Sequence, residues 1–150
     1  MIPYHQLNGH DPDNGVYGDC YRACLGSILE IDPRDMPNFC EKPEDEYLEF
    51  TRNWLAENCG VAMATFPYET KDLSELLKHL GALNPGIYFT LGGRSPRGFN
   101  HEVVVLDGKI VHDPAPSGGG LVGPMDDGYY WVSILVYDPI LQLAKRDINY

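Results

Sequence analysis

The segment DCYRACLGSIL, residues 19–29, carries the strongest structural signal in this chain. Its small and apolar residues recur at the spacing of one helix face, which predicts a helix that begins at Cys20 and ends before Pro33. Asp19 is expected to cap its first turn. The amides and the positive dipole end of a helix N-terminus favour a thiolate over a thiol, so Cys20 is a candidate nucleophile. The alternative is that a small apolar thiol merely begins a buried helix.

Two further helices are predicted downstream. The second opens near Pro43, carries acidic residues in its first turn that complement the helix dipole, and stops at Gly60. The third is capped by Thr70 and closes at Gly81. Their expected buried stripes are Tyr47, Phe50, Trp54 and Leu55 in the second helix, and Leu73, Leu76, Leu77 and Leu80 in the third.

Strand-like runs dominate the second half of the chain. Segments rich in Val, Ile and Tyr predict strands at 61–66, 86–91, 101–106, 109–112 and 129–137. Residues 1–17 are rich in turn residues, which predicts an irregular N-terminal arm. We expect an α+β fold in which the helix carrying Cys20 and further helices pack on a C-terminal antiparallel sheet. The length of 150 residues suits one domain, residues 1–150.

His101 and Asp113 are candidate partners of Cys20. His101 begins an apolar strand and Asp113 follows the next strand, so they follow the thiol in the order of a base and an orienting carboxylate. A two-residue type I′ turn at Asp107 and Gly108 would put Asp113 on the opposite side of the sheet from His101. A three-residue loop, 106–108, would set the two side chains directly opposite each other, with Cβ atoms ~5 Å apart. We therefore predict the three-residue loop.

Acyl-transfer chemistry also needs donors for a developing oxyanion. The backbone amide of Cys20 is one candidate. The second is a side-chain amide of the arm, Gln6 or Asn14, although either residue could simply form a surface hydrogen bond. His112 is a rival base to His101, but strand alternation predicts that it points to a different face from Asp113.

The composition of the chain limits the kinds of molecule that we expect it to bind. The chain has 22 acidic and 11 basic residues, a formal charge of −11 and a pI near 4.6, which argues against binding nucleic acid. Its start does not resemble a signal peptide and no run is apolar enough to cross a bilayer, so we expect a cytoplasmic protein that does not bind membranes. The spacing of the cysteines completes no zinc site, so we expect no metal and no other cofactor. The four are expected to be reduced: Cys20, Cys24, Cys40 and Cys59.

Residues 19–29 resemble the nucleophile helix of the bacteriocin-processing C39 peptidases, a papain-like family. That family places a histidine at the head of a Val-rich strand and Asp-Pro after the next strand, as in residues 101–105 and 111–114. The chain is also similar to uncharacterised bacterial and phage proteins with a Pro-Asn-Phe motif, here 37–39, and a His-Asp-Pro-x-Pro-Ser-Gly ending, here 112–118. The resemblance implies a papain-like fold and a triad of Cys20, His101 and Asp113. Tyr21 departs from the glycine, and Asn14 from the glutamine, usual in C39 enzymes.

These observations predict a cysteine-dependent hydrolase that attacks a peptide, isopeptide or amide bond through a thioester acyl-enzyme. Its partner would be a peptide or protein substrate in the cytoplasm, or in the host cytoplasm if a phage encodes the chain. Two alternatives stay open: an acyltransferase or transglutaminase-like enzyme with the same triad, and a non-catalytic binding protein on a papain-like scaffold. Tyr129, Tyr130 and Trp131 are candidates for lining a cleft, and Arg94 and Arg97 for contacting an acidic substrate group.

Overall fold

The computed structural model describes residues 1–137, which form three α-helices and one five-stranded sheet. The helices are α1 (Cys20–Leu29), α2 (Tyr47–Cys59) and α3 (Leu73–Leu83). Three short 3-10 helices lie in the connections, at Pro12–Asn14, Pro33–Asp35 and Phe39–Glu41. Within these residues no helix has the length and apolar character needed to cross a bilayer.

The sheet is antiparallel throughout the described residues. Its strands lie in the order β1-β5-β2-β3-β4. The fold is therefore α+β, as the sequence predicts. One expectation was wrong: β1 precedes α3 in the chain but pairs with β5, so the sheet is not built from the C-terminal part alone. The strands are β1 (Val61–Tyr68), β2 (Phe89–Arg94), β3 (Asn100–Leu106), β4 (Lys109–His112) and β5 (Tyr130–Tyr137).

Both faces of the sheet are covered by helices. One face packs against α3, and its buried cluster includes Leu76, Leu80, Val103 and Val105. The other face packs against α1 and α2 through a second cluster that includes Tyr21, Leu25, Leu55 and Met63. A strand that is buried on both faces has no polar face, which explains the continuous run of valines at 103–105.

Several helix boundaries differ from those predicted. Residue 43 precedes a turn at 44–46 and α2 begins at Tyr47, while Gly60 ends it in a left-handed conformation as expected. Asp72, not Thr70, caps α3, because its carboxylate accepts a hydrogen bond from the amide of Glu75 at 3.1 Å. Gly81 lies inside α3, which continues to Leu83. A Cβ atom at Gly81 would lie 2.6 Å from the backbone nitrogen of Gly108, so this glycine permits close contact with the β3–β4 turn.

The N-terminal arm, residues 1–17, is held by hydrogen bonds to two distant parts of the chain. The amide of Ile2 donates to the carbonyl of Ser27 in α1 at 3.0 Å. The amide of Gln6 donates to the carbonyl of Pro114 at 2.9 Å, and the ring of His112 contacts the carbonyl of Tyr4 at 2.6 Å. The arm therefore bridges α1 and the segment that follows β4.

Candidate active site

Cys20 is the first residue of α1 and is half-buried. It lies with His101 in the wall of a cavity of about 420 Å³, and the same two residues line an adjoining cleft of about 820 Å³. Burial raises the pKa of the Cys20 thiol well above its ordinary value, and the ionisable groups of Cys40, Glu102 and Asp19 act in the same direction. These effects oppose the stabilisation of a thiolate that the helix N-terminus is expected to provide.

His101 and Asp113 are in direct contact. Nε2 of His101 lies 2.7 Å from Oδ1 of Asp113, and the histidine is only 4% exposed. With its proton on Nε2, the imidazole donates to the carboxylate and keeps Nδ1 free to accept a proton. The structure therefore brings together the three side chains that the sequence singles out: Cys20 and His101 around one cavity, and Asp113 behind His101.

The β3–β4 hairpin reaches this contact by a route that the sequence did not predict. Leu106 pairs with Lys109, and Asp107 and Gly108 both have positive φ, which defines the two-residue turn that we had rejected. The three-residue loop was therefore the wrong prediction. Val105 pairs with Ile110 but Val104 pairs with His112, so residue 111 is an extra residue, a β-bulge. The bulge shifts the alternation of β4 by one position and returns Asp113 to the side of His101.

The Asp113 carboxylate is enclosed by backbone donors from the loop that follows it. Oδ1 also accepts the amide of Ala115 at 2.9 Å, and Oδ2 accepts the amide of Gly120 at 2.8 Å. Burial by itself would raise the pKa of Asp113, but the hydrogen bonds from His101, Ala115 and Gly120 lower it below its ordinary value. The carboxylate is therefore charged and fixed in position at neutral pH.

The rival base, His112, is occupied elsewhere. It is 8% exposed and contacts the carbonyl of Tyr4, so it anchors the arm and does not line the cavity. His5 contacts the carbonyl of Pro114 at 3.2 Å and has a similar anchoring position. His10 does line the cavity, but its Nδ1 accepts the amide of Gly18 at 3.2 Å and its ring packs on Phe99.

The two candidate oxyanion donors are placed differently. Gln6 lines the cavity beside Cys20; its Nε2 donates to the carbonyl of Asn8 at 2.7 Å and its buried Oε1 has no hydrogen-bond partner. Asn14 is exposed on the Pro12–Asn14 turn, where its amide donates to Asp11 at 2.7 Å. Of the two, only Gln6 lies where it can reach a group bound at Cys20.

Asp19 has a different function from the helix cap that the sequence predicted. Its fully buried carboxylate makes no capping hydrogen bond to α1. It accepts the amides of Leu7 and Asn8 at 3.1 and 2.8 Å and forms an ion pair with Arg22 at 2.7 Å. Asp19 therefore holds the segment that carries Gln6 against the start of α1. The sequence gives no local signal for this contact, because the partners are eleven and twelve residues away.

The Pro-Asn-Phe motif supports the other side of the site. The Asn38 side chain donates to the carbonyl of Tyr17 at 3.0 Å and accepts the amide of Cys40 at 3.2 Å, while Phe39 is fully buried in the core. The motif therefore fixes the approach to Cys20 and also places Cys40, which lines both cavities. Burial and the nearby charges of Glu102 and Asp19 raise the pKa of the Cys40 thiol to about 12.

Glu102 is the residue that the sequence reasoning missed. It follows His101 in β3 and points to the opposite face, where it lines the larger cleft at only 8% exposure. Its Oε2 has no hydrogen-bond partner. Burial raises the pKa of Glu102 to about 8, although the nearby Thr90 hydroxyl favours the charged form. A charged residue inside a Val-rich strand was the available signal.

The remaining candidates fall into two groups. Trp131 lines the cleft, whereas Tyr130 is 1% exposed in the core and Tyr129 packs edge-on against Trp131. Arg94 pairs with Asp126. Arg97 donates to the hydroxyl of Ser117 at 3.2 Å and also lines the cavity that contains Cys20. In residues 1–137 no three His, Cys, Asp or Glu side chains cluster in a way that could hold a metal ion, and Cys20, Cys24 and Cys40 are free thiols.

Comparisons with protein-family models, with curated proteins and with solved structures found no match for this chain.

Proposed function

We propose that this chain is a papain-like cysteine hydrolase in which Cys20 is the nucleophile, His101 the base and Asp113 the orienting carboxylate. The observation that carries the proposal is the 2.7 Å contact between His101 and Asp113, with His101 and Cys20 in the wall of one cavity at a helix N-terminus. A thiol, an imidazole and a carboxylate in this relation form the arrangement that activates a nucleophile for acyl transfer.

The proposed reaction starts from a neutral thiol. Nδ1 of His101 takes the proton of Cys20 as the sulfur attacks the carbonyl carbon of a peptide, isopeptide or amide bond, and a C–S bond forms. The backbone amide of Cys20 and Nε2 of Gln6 are the proposed donors to the oxyanion. His101 returns the proton to the leaving amine as the C–N bond breaks. Water then attacks the thioester, its proton passes through His101 to the sulfur, and the acid is released.

The raised pKa of Cys20 gives His101 a necessary role. A thiol that is buried and surrounded by Cys40, Glu102 and Asp19 does not ionise by itself near pH 7. Proton transfer to His101 relieves this restriction, since the imidazolium is stabilised by the Asp113 carboxylate. Reactivity of Cys20 at neutral pH should therefore depend on His101.

The experiment that tests the proposal is alkylation of purified protein with iodoacetamide between pH 5 and 9, with each cysteine followed by mass spectrometry. We expect His101→Ala to slow the modification of Cys20 at pH 7 at least about tenfold, since it removes the base. His79→Ala is the matched control, because His79 is exposed on α3. Cys40 serves as an internal reference, and its rate should be the same in all three proteins.

Equal rates at Cys20 in wild type and His101→Ala would overturn the triad. A binding protein on this scaffold would then be the better explanation. If the triad is active, release of a free acid from a peptide library identifies a hydrolase, whereas transfer to an added amine identifies an acyltransferase.

A further inference from the structure

The cleft beside the proposed nucleophile has a row of three residues across its floor. Glu102 pairs with Gly92, and Gly92 pairs with Trp131, so the three lie side by side on adjacent strands and share one face of the sheet. Glu102 and Trp131 both line the cleft. Neighbouring strands are ~4.8 Å apart, so β3, which carries Glu102, lies about 10 Å from β5, which carries Trp131. Gly92 contributes no side chain between them, so the row leaves a slot, and the end of the Met125 side chain occupies it in this structure.

The absence of a side chain at Gly92 leaves room for two side-chain ends. A Cβ atom at this glycine would overlap Oε1 of Glu102 and Cε of Met125. The Glu102 carboxylate and the Met125 methyl group therefore both occupy the space above Gly92. Methionine is unbranched and flexible, so its side chain can move aside where a branched residue could not.

One oxygen of the buried Glu102 carboxylate has no hydrogen-bond partner. Glu102 is 8% exposed, and Oε2 accepts no hydrogen bond. A buried charge without a partner is costly, whereas the same charge becomes favourable when a cation is placed against it. The described groups that interact electrostatically with Glu102 include thiols, phenols and a hydroxyl: Cys20 and Tyr21 of α1, Cys40, Tyr47 of α2 and Thr90 of β2.

The rim of the cleft has the same sign of charge. Among the described residues that line it, the side chains charged at neutral pH are Glu41, Lys42, Glu44, Asp126 and Asp127. Lys42 packs over the ring of Phe50, with 4.6 Å from Nζ to the ring centroid, and Asp126 is paired with Arg94. The rim therefore attracts cations, and aromatic walls at Tyr47 and Trp131 suit an aliphatic stem that ends in a cation.

We propose that the slot between Glu102 and Trp131 is a specificity subsite that binds a lysine or arginine side chain of the peptide attacked by Cys20. This inference rests on the proposed hydrolase. The aliphatic part of the side chain lies along the aromatic wall after Met125 moves aside, and the ammonium or guanidinium group pairs with the Glu102 carboxylate. The substrate class is therefore a peptide with a basic residue close to the bond that is cleaved.

The test uses peptidyl acyloxymethyl ketones, which alkylate an activated cysteine. Matched pairs carry lysine or norleucine at the first or the second residue before the ketone, so the members of a pair differ only in the ammonium group. We expect the lysine compound of at least one pair to label Cys20 at least about tenfold faster in wild type. The preference should increase from pH 6 to pH 8, because the cation requires the ionised form of Glu102.

Glu102→Gln is the decisive variant, because it keeps the shape of the side chain and removes the charge. The ratio of the lysine rate to the norleucine rate should fall to within about twofold. The ratio is the readout because the charge of Glu102 also acts on the Cys20 thiol and would change both rates together. A cooperative thermal unfolding transition shows that the variant is folded. Glu44→Gln removes the same charge from the exposed rim and should keep most of the preference.

The outcomes separate the two proposals. Equal labelling of Cys20 by lysine and norleucine compounds in wild type, or a lysine preference that survives in Glu102→Gln, would overturn the subsite and leave the hydrolase in place. If no compound labels Cys20 and its alkylation is independent of His101, both proposals are wrong.

Discussion

His101 and Asp113 meet because two local features of the backbone act together. The bulge at residue 111 returns Asp113 to the face of His101, and the amides of Ala115 and Gly120 hold the carboxylate there. The carboxylate is therefore fixed in position. In the proposed hydrolase, this fixed carboxylate both orients His101 and selects its imidazole tautomer.

Replacing Asp113 with Asn tests this orientation. The variant loses the charge that favours a proton on Nε2, so we expect the rate of acyl transfer to fall by about 10² to 10⁴. The assay is Cys20 labelling by the acyloxymethyl ketones, or turnover once a substrate is found. Asp13→Asn, on the exposed Pro12–Asn14 turn, is the matched control. Wild-type rates in Asp113→Asn would show that Asp113 does not orient the base.

The same variant should also change the stability of the protein in acid. Because the folded state lowers the pKa of Asp113, the carboxylate stabilises the fold above its ordinary pKa. That contribution is lost as the pH falls through the lowered value. Wild type should therefore lose its stability advantage over Asp113→Asn below about pH 4, as measured by thermal unfolding between pH 2.5 and 7.

At the level of secondary structure, the β3–β4 hairpin shows what the sequence can predict. Asp107 and Gly108 carry the usual signal of a type I′ turn, and the structure has that turn. With a type I′ turn, a contact between His101 and Asp113 requires a register shift of one residue. We predicted that a longer loop would provide this shift. It lies instead in the strand at residue 111, a valine that suits a strand and so marks no bulge. The contact between His101 and Asp113 was therefore predictable from the sequence, but the bulge that makes it possible was not.

Whether Gly81→Ala in α3 stabilises or destabilises the protein depends on the contact of this helix with the β3–β4 turn. In an exposed helix, Gly→Ala stabilises by about 1 kcal/mol. Here the added methyl group would lie 2.6 Å from the backbone nitrogen of Gly108, so we expect Gly81→Ala to destabilise the protein by about 1 to 3 kcal/mol. Urea unfolding measures the difference. Ser74→Ala on the exposed face of α3 should be neutral or slightly stabilising. A stabilising Gly81→Ala would contradict this packing of α3 on the turn.

The contact between the arm and α1 depends on Asp19. Asp19→Ala leaves Arg22 without its carboxylate partner and the amides of Leu7 and Asn8 without an acceptor, so we expect a loss of about 3 kcal/mol. Limited proteolysis should then cleave the arm faster than in wild type. Asp45→Ala removes an exposed carboxylate in the turn before α2 and should have little effect on either measurement. Unchanged protection of the arm would show that other contacts hold it.

At the scale of the whole molecule, the sequence is most informative where the signal is local. Helix periodicity, the positions of most strands and the α+β class follow from spacing and turn residues, and these agree with the structure. The sequence did not predict the contacts of Asp19 or the burial of Glu102, because the residues that surround them come from distant segments. Asp19 is surrounded by the arm, and Glu102 by α1, α2 and β2. Such residues become informative only when the two packed faces of the sheet are known.

Glu102 should set the pH dependence of global stability. Its ordinary pKa is 4.5 and burial raises this to about 8 in the folded protein. The folded state therefore holds a proton that the unfolded state has lost between these values, and stability must fall as the pH rises from about 4.5 to 8. The full shift corresponds to at most about 5 kcal/mol. Burial of this carboxylate therefore lowers the free energy of unfolding at neutral pH.

Glu102→Gln removes this cost. The variant should be more stable than wild type at pH 8 and should lack the decline between pH 5 and 8, since glutamine does not ionise. Thermal unfolding at fixed ionic strength measures both properties, and Glu44→Gln controls for the change in net charge. A structural glutamate would give the opposite result, a less stable variant at pH 8. Gain of stability together with loss of the lysine preference would indicate that Glu102 is buried there to bind substrate, because a residue kept for function commonly reduces stability.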